Sequence, residues 1–105
     1  MMEQAQEAVK HINLKKEIQD EIISLAKKCD ISKVILFGSR ARGDNRERSD
    51  IDLAVKGGNV RKFRLSVDDE IRTLLMFDVV NLDGPVNEAL MESIEKEGMV
   101  LYEKA

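Results

Sequence analysis

The chain has 105 residues, which supports one domain with one modest core and leaves no room for a second, substrate-holding domain. Charged residues at 35% against 43% hydrophobic exclude a disordered chain, and a net charge of −3 excludes a general pull toward nucleic acid or an acidic membrane, so any polyphosphate must be captured locally. No apolar run reaches signal-peptide or membrane-span length, and Cys29 is the single cysteine, so a cytoplasmic protein without an internal disulfide is expected.

Residues 1–13 mix polar and small apolar side chains and read as an N-terminal extension of a single domain spanning 14–105. His11 is the only histidine and, lacking a second ligand at helical spacing, reads as a surface residue. From Leu14 to Cys29 the positions Leu14, Ile18, Ile22, Leu25, Ala26 and Cys29 recur at steps of three and four, the stripe of an amphipathic helix that covers a sheet. Cys29 belongs to that packing stripe. Val34-Ile35-Leu36-Phe37 is a short apolar run ended by Gly38 and reads as a buried strand. Ile51 to Val55 makes a second strand, closed by Gly57-Gly58. Arg61 to Met76 places Phe63, Val67, Ile71, Leu74 and Leu75 on one helical face, with Asp68, Asp69, Glu70 and Arg72 on the solvated side. Phe77 to Leu82 returns to strand character, and Asp83-Gly84-Pro85 breaks it. Asn87 to Glu97 is helical through Leu90, Met91 and Ile94, Gly98 is placed as its C′ terminator, and Met99 to Tyr102 is a last strand. This order predicts an α+β fold, a small mixed β-sheet with helices packed mainly on one face.

Two segments carry the chemistry, Phe37-Gly38-Ser39-Arg40-Ala41-Arg42-Gly43 and Ser49-Asp50-Ile51-Asp52-Leu53. Strand alternation points Asp50 and Asp52 the same way, with Ile51 and Leu53 on the buried side. Two carboxylates side by side on a partly desolvated sheet repel unless a cation lies between them, and Mg²⁺ favours carboxylate oxygens together with water and phosphate. Gly38 lets the chain approach a ligand closely, and Ser39 offers a hydroxyl and an N–H to a phosphate oxygen. A short helical turn from Ala41 to Gly43 would add its N-terminal dipole, and Arg40 and Arg42 supply cationic side chains nearby. Gly38 and Gly43 have the outer spacing of a P-loop, but Asp44-Asn45 stand where that motif needs Lys and then Ser or Thr, which excludes a Walker-type ATPase. Asp44 and Glu47, with Arg46 and Arg48, read as a mobile exposed loop. If two ions share the work, a third carboxylate is needed. Asp78 is the best candidate, an acidic residue inside an apolar strand, with Asp83 as the fallback.

Gly38-Ser39-x-Ala41-x-Gly43 followed by Ser49-Asp50-x-Asp52-Leu53 resembles the signature of the nucleotidyltransferases related to DNA polymerase beta, specifically their minimal bacterial and archaeal members, over about Val34 to Tyr102. The resemblance implies that Gly38 and Ser39 contact nucleotide phosphates, that Asp50 and Asp52 bind Mg²⁺, and that Asp78 completes the metal site and serves as the base. The implied reaction, with two Mg²⁺ ions, moves a nucleoside monophosphate from an NTP, AMP from ATP being the expected case, to an acceptor hydroxyl. It also implies a small helical partner, either a HEPN-type toxin or a four-helix-bundle substrate-binding subunit. Two alternatives stand beside this reading: a non-catalytic antitoxin that masks its partner, and an enzyme that modifies a small molecule of the aminoglycoside kind.

Overall fold

The unbroken stripe of Ile18, Ile22, Leu25 and Ala26 folds into helix α1, Lys16–Lys28, with all four side chains buried. The computed structural model describes residues 13–104, so the extension expected at 1–13 lies, apart from Asn13, outside the described residues, as does His11. Strand β1 (Lys33–Phe37) leads through Gly38 into a four-residue helix α2 (Ser39–Arg42), and strand β2 (Ile51–Lys56) follows. Helix α3 (Val60–Glu70), strand β3 (Phe77–Asn81), helix α4 (Glu88–Glu97) and strand β4 (Met99–Glu103) complete the chain. Asn59 and Asn87 cap α3 and α4, their side chains accepting from the Lys62 and Leu90 N–H groups.

The four strands form one mixed sheet in the order β3-β2-β1-β4. β1 pairs antiparallel with β2 and β4, whereas β2 and β3 run parallel. A parallel pair needs a crossover, and α3 supplies it. One face of the sheet presents Val34, Leu36, Ile51, Leu53 and Val55, all buried beneath side chains of α1 and α3 that include Ile22 and Phe63. The other face presents Ile35, Phe37, Ala54 and Val80 to Leu90 and Ile94 of α4. The α+β fold with a small mixed sheet is therefore as expected, with α1 and α3 on one face and, among the described residues, α4 alone on the other.

Three local expectations are corrected. The second cover helix ends at Glu70, not Met76: Ile71 is buried but extended (φ −85°, ψ 120°), and Leu74, expected on the packed face, is 97% exposed. The chain must straighten there to enter β3, and the Met76 carbonyl already accepts from the Ile51 N–H at 2.8 Å. The short helix begins at Ser39 rather than Ala41, and Gly43 ends it in a left-handed conformation (φ 88°). Gly98 is extended (φ −67°), so it is not a left-handed terminator. Its lack of a side chain matters for space, because a Cβ there would run into the Ile94 carbonyl and the Ile35 side chain where α4 turns directly into β4.

Candidate active site

The register of the sheet builds the site. Asp52 is opposite Phe37 in β1 on one side and opposite Asp78 in β3 on the other, so the two carboxylates are lateral neighbours on the same face. Asp50, two residues earlier, has the same parity and is exposed just before β2 begins. On this face α4 covers Ile35, Ala54 and Val80 but leaves Asp78 exposed and Asp52 half-buried. The exposure of Asp78 corrects one premise: the cost of a buried charge does not single it out, and its register opposite Asp52 does.

Gly38 follows β1 with φ 77° and ψ −158°, and a Cβ built on it would collide with Asp52 Oδ2. Only glycine combines that backbone with that approach. The Asp52 carboxylate therefore lies against a bare Cα, with Ser39 opening α2 beside it. Burial, first, and then the charges of Asp78 and Asp50 push the Asp52 carboxyl up to about 6, while Arg42 pulls it the other way. Crowded oxygen donors that disfavour their own ionisation are the chemistry a hard divalent cation relieves. Among the described residues no three acidic, His or Cys side chains are gathered closely enough to hold an ion alone. An ion there would need further ligands from phosphate oxygens and water.

The two arginines separate. Arg40, expected near a phosphate, is only 6% exposed and donates to three carbonyls, from Nε to Ser49 at 3.1 Å, Nη1 to Asn13 at 3.0 Å and Nη2 to Glu47 at 3.0 Å. Its guanidinium ties the chain before α1 to the connection before β2, a structural use that turns it away from the nucleotide-binding role. Those bonds also anchor the segment around Glu47 that reads from sequence as a mobile loop. Arg42 stays on the open side, with Nε donating to Asp44 Oδ2 at 3.1 Å and Nη1 to Glu97 Oε1 at 2.9 Å. Asp44 and Glu97 carry no motif, and with Glu97 55 residues from Arg42 in sequence no local signal reveals the pairing.

The fallback Asp83 falls away, because its Oδ2 accepts from the Gly57 N–H at 2.8 Å beyond the other end of β2. Asp68 and Asp69 are exposed on α3, over the opposite face, and Cys29 is buried, as expected of both. A concavity of about 770 Å³ is lined by the start of α1, Arg40, Arg48 and residues 72–75, and none of the three aspartates lines it. Asp50 and Asp78 are exposed, so the acidic site is open to solvent on that sheet face. No described helix is long and apolar enough to cross a membrane.

Comparison with known proteins gives one family, described as Polymerase beta, Nucleotidyltransferase, which matches residues 20–105. The Methanocaldococcus jannaschii protein named "Putative protein adenylyltransferase MJ0604" is 33% identical over 102 residues, covering 87% of this chain and all of that protein. Among solved structures, a crystal structure of a mutant of the toxin–antitoxin MntA–HpeT superposes with a TM-score of 0.65 at 21% identity, covering 82% of this chain and 73% of that one. A toxin–antitoxin crystal structure with AMP-PNP gives 0.62 at 22% identity, covering 82% and 73%, and the crystal structure of a protein from Shewanella oneidensis gives 0.64 at 15%, covering 87% and 74%. At these identities the structural matches establish the shared fold.

Proposed function

Because this chain belongs to the polymerase beta nucleotidyltransferase family and is a nucleotidyltransferase, we propose that it transfers AMP from ATP to a hydroxyl of a partner protein in the cytoplasm. The observation that carries the reading is the register of Asp52 opposite Asp78, with Asp50 two residues behind and the Gly38–Ser39 bend against Asp52. Asp50, Asp52 and Asp78 would hold Mg²⁺, in two ions, which when bound supplies charge neutralisation for the triphosphate and acidifies the acceptor hydroxyl. Ser39 and the bend at Gly38 receive phosphate oxygens, and Arg42 offers positive charge at the same opening. Asp78, the more exposed of the paired carboxylates, takes the acceptor proton as the acceptor oxygen bonds to the α-phosphorus. The bond from that phosphorus to the bridging oxygen breaks, and pyrophosphate leaves.

The acceptor is a protein in this reading because the site lies open on the sheet face, and the name of the Methanocaldococcus relative supports it. The fold shared with toxin–antitoxin structures supports a small helical partner, of the HEPN toxin or four-helix-bundle kind. The test incubates the purified chain with labelled NTPs, Mg²⁺ and the product of the neighbouring gene. Label from ATP should appear on that protein, and Asp52→Asn should lower the rate about a thousandfold, equivalent to about 4 kcal/mol. No label from any NTP, or an Asp52→Asn rate equal to wild type, would overturn the proposal.

A further inference from the structure

We infer that Asp44 and Glu97 form a clamp that positions Arg42 for the triphosphate, making Glu97 a positioning residue of the nucleotide site; this rests on the reading above that the site binds ATP. Ser39 and Arg42 are three residues apart in α2 and share one side of it, while Arg40 and Ala41 are buried on the other. A guanidinium carries five N–H donors in a rigid fork. In Arg42 the Nε donor goes to Asp44 and one Nη1 donor to Glu97, which leaves the second Nη1 hydrogen and both Nη2 hydrogens for an anion. The fork is therefore oriented before ligand arrives, without being used up.

The clamp also joins two elements that border the site. Glu97 is the last residue of α4, whose Ile94 packs with Phe37 and Ala54 on the same sheet face as Asp52. Arg42 is the last residue of α2, which starts at the phosphate-facing Ser39. Glu97, at 30% exposure, is the more sheltered of the two carboxylates, with Asp44 at 63%, so it should contribute more to the clamp.

The experiment is a double-mutant cycle on binding of AMP-PNP with Mg²⁺ by calorimetry, paired with KM and kcat for ATP. Arg42→Ala should weaken binding about tenfold and Glu97→Ala about threefold, a size suited to a half-exposed ion pair. KM should move with binding, with kcat within about twofold, and Glu97→Gln, which keeps an acceptor oxygen, should recover part of the loss. Glu97→Ala in the Arg42→Ala background should cost nothing further, because the clamp then has nothing to hold. Full additivity of the two losses, unchanged binding in Glu97→Ala, or an effect on kcat alone would overturn the clamp. The binding cycle needs no turnover: intact coupling in a wild type that transfers no label would overturn the proposed reaction and uphold the clamp. Thermal melting of each variant separates loss of the clamp from loss of the fold.

Discussion

Asp52 sets the electrostatics of the site more than its acidic neighbours do, because it alone is both half-buried and flanked by the other two. Its carboxyl is raised from the ordinary carboxylate range to about 6, so the folded protein holds a proton there more tightly than the unfolded chain does. The stability this contributes is present below pH 4 and is lost as pH rises through about 6, in the metal-free protein. Discounted for the carboxylate's contact with solvent, the penalty at neutral pH is about 1 kcal/mol. Asp52→Asn removes it. In chelator at pH 7.5 that variant should melt roughly 4–8 °C above wild type, and at pH 4 the advantage should vanish. Calorimetry at the two pH values checks this, and a variant that melts at or below wild type at pH 7.5 contradicts it. A site residue whose removal stabilises the fold holds strain that a bound cation would relieve. The motif made Asp50, Asp52 and Gly38 legible at this scale, but not the unequal burial of the three aspartates.

Among the elements, α2 and the segment after it depend on Arg40. Its three bonds fasten carbonyls of residues 13, 47 and 49 around one buried guanidinium, and no local pattern in the sequence brings those positions together. Arg40→Met should leave the carbonyls without donors and cost about 2–4 kcal/mol, and Arg40→Lys should recover little, because an ammonium cannot reproduce the planar fork. Urea denaturation measures both, and a loss under 0.5 kcal/mol for either would contradict the assignment. The helix boundaries followed the apolar spacing closely for α1 and α4. They failed after Glu70. Ile71 continues the stripe and is buried, and Leu75 packs against the core without being helical, but Leu74 owes its helical spacing to chance, since the chain there must straighten and run to the start of β3. Periodicity reports a face to be buried and is silent on where a crossover has to end.

At the scale of the whole molecule, a single principal core under α1 and α3 holds one sheet face while the opposite face divides between α4 and the aspartates. Phe63 is fully buried in that core. Phe63→Ala should cost about 3–5 kcal/mol, a large share of a small domain's total stability. Leu74→Ala, at a side chain already in water, should stay within about 0.5 kcal/mol. Parallel thermal melts of the two variants check the contrast, and a costly Leu74→Ala would contradict the exposure of Leu74.

The sequence by itself determined the element types, the mixed α+β architecture and where the glycine and paired-aspartate motifs fall, because apolar periodicity, glycine placement and a one-residue carboxylate spacing are local properties of the chain. The tertiary structure alone decided that Asp78 faces Asp52, that Arg40 is a strap between carbonyls and that Glu97 meets Arg42. Strand register and the meeting of elements far apart in sequence are settled by packing the whole core, and no window of neighbouring residues contains that information.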